Sequence, residues 1–222
     1  QEAPSDSAIK ETLVRFNLEN CPNAMEAAVR QGNLYYPATK IGPTTYRRYV
    51  PLKEGENVLS AVVKNPAGAE ASSAEVSITY TPVEPQAGPD SGWIHGKVVE
   101  EGSDNPLEGA LVYVRDVAGT LTTAAEGTFA FPVPGNGPRL LTIEKEGYTL
   151  AQRRAQVEAG HHTSVKTAYL LELDDKTARF SDAAGGTLEN TAGDIQVSAP
   201  AGAVRGELHV SAISYPRYRS LP

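Results

Sequence analysis

The stretch GTLTTAAEGTFAFPVP, residues 119–134, alternates apolar and polar side chains, breaks at Glu126-Gly127, alternates again and stops at Pro132 and Pro134. Successive side chains of a strand point to opposite faces, so a period of two suits a half-buried strand and does not suit a helix face. Thr122-Thr123 and Phe129-Phe131 are expected as paired strands hinged at Gly127, with both phenylalanines toward a core and the prolines ending the pairing at a protected edge. The remainder has the same texture, with 20 Gly and 16 Pro punctuating 222 residues. That balance favours short strands and turns over long helices. An all-β fold is expected, and the length predicts two domains, or two and a part, each burying its own core.

The formal charge of −7, with no Lys/Arg-rich run, excludes the concentrated positive surface that nucleic acid or an anionic membrane requires. No segment approaches the roughly 20 apolar residues of a membrane span, so no membrane insertion is expected within these residues. No basic stretch followed by an apolar run marks a signal peptide, and any targeting segment is expected to lie elsewhere. The single Cys21 can form no intramolecular disulfide. Leu18 stands three residues before it, as in a bacterial lipoprotein site, but Glu19 and Asn20 replace the small residues between. No Asn-x-Ser/Thr acceptor occurs. Together these features favour a bacterial secreted or cell-surface location.

Residues 1–7 are small and polar and read as a flexible tail. IKETLVRFNLE carries Leu13, Phe16 and Leu18 without strict parity, which suits one bulged strand or two short ones. In NAMEAAVRQG, residues 23–32, Met25, Ala28 and Val29 fall at i, i+3, i+4 with Gly32 as a stop, predicting one or two helical turns. Residues 50–82, VPLKEGENVLSAVVKNPAGAEASSAEVSITYTP, read as strand, turn, strand. Gly55 and Asn57 lead into a strand around Val58, Ala61 and Val63, and Pro66 to Gly68 make the return. This stretch resembles the closing hairpin of bacterial Ig-like domains of extracellular modular proteins, which implies an Ig-like sandwich over residues 8–82. The Pro/Gly-rich residues 83–92 have few backbone donors for pairing and are expected to be a linker.

Beyond the linker, strands are expected at Ile94 to Val99, Ala110 to Val114, on both sides of Gly127, and around Leu141, Ile143, Val157 and Val165. That makes seven strands as far as Leu173, enough for one sandwich. The series Gly96-Lys97-Val98, Pro106-Leu107-Glu108-Gly109-Ala110, Val112, Thr122-Thr123, Glu126-Gly127-Thr128-Phe129 and Glu146-Gly147-Tyr148 resembles the carboxypeptidase regulatory-like domain. The resemblance implies a prealbumin-like β-sandwich over residues 93–173, an accessory module distinct from the zinc-bearing catalytic domain. Gly109 and Gly127 are expected in turn dihedrals, Leu107 and Phe129 in the core, and Tyr148 against a backbone partner. Residues 174–222 start fresh alternations around Leu188, Ile195 to Val197 and Leu208 to Ala212. They resemble the β-rich segment that follows such modules in RHS/YD-repeat proteins and the related teneurins. They are expected to pack on the second domain or to begin a further module.

Candidates for chemistry are few. His161 and His162 are adjacent and point to opposite faces of a strand, while His95 and His209 lack any HExxH or Cys-x-x-Cys context. Asp174, Asp175 and Asp182 could offer oxygens to calcium, but the known loop spacings are absent and a solvated acidic linker is expected. Glu100-Glu101 and the Glu144/Glu146 pair read as a charged sheet face, and Cys21 has no nearby His to activate it. No catalytic residue, metal or cofactor is expected. Tyr35, Tyr36, Tyr46, Arg47, Arg48 and Tyr49 form an aromatic and basic group of the type enriched at binding hot spots. Two functions follow: a non-catalytic structural or presentation segment whose partners are neighbouring domains of a larger protein, or a recognition module taking a glycan or protein ligand on the Tyr/Arg surface.

Overall fold

The computed structural model describes residues 5–18, 26–65, 69–204 and 206–214. These contain strands and turns and no helix. They divide into two compact units, the first comprising Gln1–Ala87 with Tyr113–Thr120 and the second Gly88–Val112 with Leu121–Pro222. Cys21 and the expected Pro66 to Gly68 turn lie outside the described residues.

In the first unit, β1 (Ser5–Ser7), β2 (Glu11–Asn17), β3 (Glu26–Gln31), β4 (Leu34–Pro37) and β5 (Thr39–Lys40) precede β6 (Thr45–Pro51), β7 (Gly55–Lys64), β8 (Glu70–Ser72) and β9 (Val76–Tyr80). One sheet runs β1-β9-β7-β3-β4 with β8 also on β7, and the other runs β2-β6-β5. Val29 and Leu59 from the first sheet and Val50 from the second form the buried core, with Val14, Phe16, Tyr36 and Ile78 packed against it. The alternation of residues 11–17 resolves into a single strand whose register with β6 is unbroken from Glu11↔Pro51 to Asn17↔Thr45.

Two expectations are corrected here. The predicted helical turn is β3 over its described part, paired with β4 on one side and β7 on the other. A central strand satisfies its backbone groups on both edges and buries Val29, and those tertiary contacts override a helix-compatible composition. Gly32, expected as a helix stop, instead opens the two-residue turn between β3 and β4 at φ +57°. Ser5–Ser7, expected within a flexible tail, pair in parallel with Ile78 to Tyr80 of β9. An edge strand needs backbone partners rather than apolar side chains, so its polar sequence gave no signal.

The second set of strands is β10 (Ser91–Glu100), β11 (Leu111–Val114), β12 (Thr120–Thr122), β13 (Thr128–Pro134), β14 (Gly137–Glu144), β15 (Ala151–Val157), β16 (His162–Ser164) and β17 (Ala168–Leu170). One sheet has the order β13-β10-β16 with β17 also on β10, and the other β12-β11-β14-β15. β10 is antiparallel to β13 but parallel to β16 and β17. Ile94, Val98, Phe131, Val133, Leu141 and Ile143 are buried between the layers. Gly109 and Gly127 turn at φ +72° and +68°, and Leu107 and Phe129 enter the core, as their motif positions imply.

The structure also corrects this region in detail. β12 and β13 are not paired with each other; they belong to different sheets, and Gly127 carries the chain from one layer to the other. Pro132 does not end the pairing: it sits within the ladder opposite Trp93, on an edge strand where a missing N–H is tolerated, whereas the pairing does end at Pro134, opposite Ser91. The 83–92 stretch gives way to β10 at Ser91, two residues sooner than expected. Eight strands rather than seven occupy this segment, because the last alternation splits into β16 and β17. Tyr148 reaches the Glu100 carboxylate at 3.3 Å rather than a backbone group. Burial first, and then the Glu100 and Glu172 charges, hold its phenol above the usual range and keep it a donor. The chain then forms two small antiparallel ladders, β18 (Thr177–Ser181) with β21 (Glu207–Ser211) and β19 (Gly186–Glu189) with β20 (Gln196–Ala199), around buried Phe180 and Leu188.

Candidate functional site

The six Tyr and Arg candidates do not form one surface. Tyr35 and Tyr36 are consecutive in β4 and so point to opposite faces. Tyr35 is 45% exposed, with the Lys64 ammonium 4.8 Å from its ring centroid. Tyr36 packs against the core and donates to Gln31 Oε1 at 3.1 Å. Burial raises its phenol above the usual range, opposed by the nearby Arg48 charge, so it remains a donor. Tyr46 lies nearly parallel to Phe16, the rings 5.8 Å apart and inclined by 13°. Arg48 shares the parity of Tyr46 and Val50 yet stays exposed.

Arg47 and Tyr49 take the other parity of β6 and stand opposite Arg15 and Leu13 of β2. Arg15 and Arg47 are exposed, like-charged and directly across from each other. Tyr49 lies under the Arg115 guanidinium, 4.2 Å from its ring centroid, and its hydroxyl approaches Asp116 Oδ2 at 3.5 Å. Arg115 also pairs with Glu11 at 2.7 Å. The pieces of this face that remain open to a ligand are Arg15 and Arg47.

A second cluster escaped the sequence analysis. On β10, Ile94, Gly96 and Val98 point inward, leaving Trp93, His95 and Lys97 on the outer face. The parallel register Trp93↔His162 and His95↔Ser164 brings His162 of β16 beside both aromatic residues. His95 Nε2 and His162 Nδ1 are 2.6 Å apart, and the Trp93 and His162 rings lie 6.3 Å apart at 10°. His161, the neighbour considered with His162, is instead tied through Nδ1 to the Ala159 carbonyl at 3.0 Å.

The acidic candidates are dispersed. Asp174 accepts from the Lys176 and Thr191 amides and from the Thr191 hydroxyl, each at 2.8 Å. The Thr191 backbone hydrogen bond is the first cause of its lowered pKa, followed by that of Lys176. Its carboxyl is therefore expected to titrate below the ordinary aspartate value in a carbon-detected NMR titration. The sign follows from a folded pKa below the unfolded one: its contribution to stability is present at neutral pH and fades as pH falls through the acid range. Asp174→Asn should flatten that limb; an unchanged acid limb would show that these hydrogen bonds do not form in solution. Among the described residues no group of three or more His, Cys, Asp or Glu could hold a metal ion. Glu144 and Glu146 border an open depression with Gly109, Leu111, Lys145 and Tyr148. His209 lies 3.6 Å from Glu207, which also pairs with Arg179.

The family model of the carboxypeptidase regulatory-like domain matches residues 93–170. No curated protein sequence matches the chain. Among solved structures, the Bacillus anthracis TIE protein is similar at 10% identity and a TM-score of 0.33, over 93% of this chain and 46% of that one. BcpA, the major pilin subunit of Bacillus cereus, is similar at 15% identity and a TM-score of 0.28, over 74% of this chain and 60% of that one. The group B streptococcus pilus 2b backbone protein is similar at 12% identity and a TM-score of 0.31, over 74% of this chain and 86% of that one. The match thus spans about half the length of the first of these proteins and 60% of the second. At these TM-scores the likeness carries no functional argument.

Proposed function

We propose that the chain is a non-catalytic structural and presentation segment of a larger bacterial secreted or cell-surface protein. An Ig-like sandwich over residues 8–82 and a prealbumin-like sandwich over residues 93–173 would space or brace neighbouring domains, with residues 174–222 packing on the second or opening a further module. One observation supports this reading most: the distinctive residues of the 93–170 segment serve the fold itself. Gly96 leaves room for the Phe129 ring, and a side chain at Gly127 would run into the Val98 carbonyl. Thr123 ties Ala110 to Leu107 through its hydroxyl, and Tyr148 braces Glu100. A narrower placement in an RHS/YD-repeat protein rests on the resemblance of residues 174–222 alone.

The test is replacement of residues 8–173, in the full-length gene product, by an unrelated tandem β-sandwich of equal length. A spacer predicts unchanged surface labelling of intact cells and unchanged activity of the neighbouring domains. Loss of a specific adhesive or ligand-binding phenotype would overturn it in favour of recognition. The second reading, a glycan- or protein-binding module, draws on the exposed Arg15 and Arg47 pair beside Tyr49. Directly opposed like charges destabilise a ladder, and an anionic ligand group would relieve them. Arg47→Glu separates the cases: as a spacer the protein should gain about 0.2–1 kcal/mol from the new cross-strand ion pair, whereas a recognition module should lose its ligand.

A further inference from the structure

We infer that His95 and His162 form a surface site for a borderline divalent transition ion, copper(II) ahead of nickel(II) and zinc(II). The two side chains come from neighbouring parallel strands and present His95 Nε2 and His162 Nδ1 to each other at 2.6 Å. Two nitrogens each roughly 2.0 Å from one metal are about 2.8 Å apart when cis in a square plane, and about 3.3 Å apart in a tetrahedron. The hydrogen-bonded separation falls short of both spacings and establishes proximity rather than geometry; the order of affinity for nitrogen ligands puts copper(II) first.

The metal-free contact is a shared hydrogen bond, in which one facing nitrogen carries a proton and the other a lone pair. Both facing nitrogens offer lone pairs once the imidazole bearing that proton carries it on its other ring nitrogen. Binding to the neutral pair is therefore a tautomer change with no net proton release. The strands fix both Cα positions, so little conformational freedom is lost on chelation, and the rings have to turn until their lone pairs converge on the metal instead of facing each other. Water fills the remaining coordination positions, since no third His, Cys, Asp or Glu joins the pair among the described residues. The two histidines belong to the second unit and the Tyr and Arg candidates to the first, and failure of this inference would leave the proposed function untouched.

The chain has one tryptophan, and Trp93 is stacked beside His162, so the protein reports on this site directly. Titration of the metal-free chain with copper(II) is expected to quench the Trp93 fluorescence to saturation at one equivalent, and a chelator should restore it. Paramagnetic resonance of the bound copper should show hyperfine structure from two nitrogens. His95→Ala and His162→Ala should each weaken binding at least tenfold, about 1.4 kcal/mol, while His161→Ala should bind as the parent does. His162 is exposed and His95 half-buried on the outer face of the sheet, outside the core, so the variants are expected to fold, which thermal unfolding verifies. Equal quenching in the parent and both variants, or loss of quenching on His161→Ala alone, would overturn the inference.

Discussion

Phe129→Ala is expected to destabilise the second unit by roughly 3 to 5 kcal/mol, the cost of deleting a buried aromatic ring and leaving a cavity. Phe129 is 6% exposed, and its ring fills the space that Gly96 leaves on the adjacent strand β10. A Cβ at position 96 would stand 2.7 Å from Phe129 Cε1 and 2.9 Å from Val165 Cγ2. Gly96→Ala should therefore also destabilise, through overpacking rather than a void. The two effects must be non-additive: in the Phe129→Ala background, the added methyl meets an emptied site and should cost much less. A chemical-denaturation cycle of the four proteins measures this coupling. The core of Val29, Val50 and Leu59 contains no residue of β13, so the first unit is expected to keep its own transition. Additive effects, or a change within about 0.5 kcal/mol for Phe129→Ala, would mean that the ring and the glycine do not meet in solution.

The parity of Phe129 and Phe131 was legible because a strand with one buried face writes its orientation into the local sequence. The partner of that strand was not legible. A turn at Gly127 is compatible with a hairpin and with a crossing between layers, and the choice is made by β10, more than thirty residues upstream. The β3 segment failed for a related reason. Ala28 and Val29 satisfy a helical spacing, yet pairing on both edges with β4 and β7 determines its state. Local pattern reports burial, whereas sheet order is a set of long-range choices that no short window contains.

The same distinction governs the candidate sites. Tyr46, Arg47, Arg48 and Tyr49 are neighbours in sequence, and a strand sends neighbours to opposite faces, so proximity along the chain dispersed them. His95 and His162 are 67 residues apart with no motif to link them, but parallel pairing of β10 with β16 joins them. Parallel strands need long connections and leave no turn signal between partners. The one available hint was the alternation of Trp93, His95 and Lys97 against Ile94, Gly96 and Val98, which already assigned the two aromatic residues to an outer face.

Asn57 was legible as a turn residue, and its larger task yields the second strong expectation. The residue is 3% exposed, and its side chain sits at the end of a chain of hydrogen bonds from Tyr36 through Gln31. Oδ1 accepts from Gln31 Nε2 at 2.7 Å and from the Lys53 amide at 2.8 Å, while Nδ2 donates to the Lys53, Gly55 and Ile78 carbonyls. Asn57 thus closes the turn between β6 and β7 and anchors it to β9. Asn57→Ala leaves several of these groups without partners and is expected to cost the first unit about 2–4 kcal/mol. Asn57→Asp is nearly isosteric and should be at least as damaging at neutral pH, because a carboxylate oxygen then faces the carbonyls that Nδ2 served. Those carbonyls and burial would raise the new carboxyl's folded pKa above its unfolded value, so protonation favours the folded state and restores a donor. The deficit of Asn57→Asp relative to the parent protein should therefore shrink as pH falls through the carboxylate range, while that of Asn57→Ala stays constant. Parallel deficits at every pH, measured by thermal unfolding of the three proteins in matched buffers, would place the Asn57 amide in water rather than at the centre of this network.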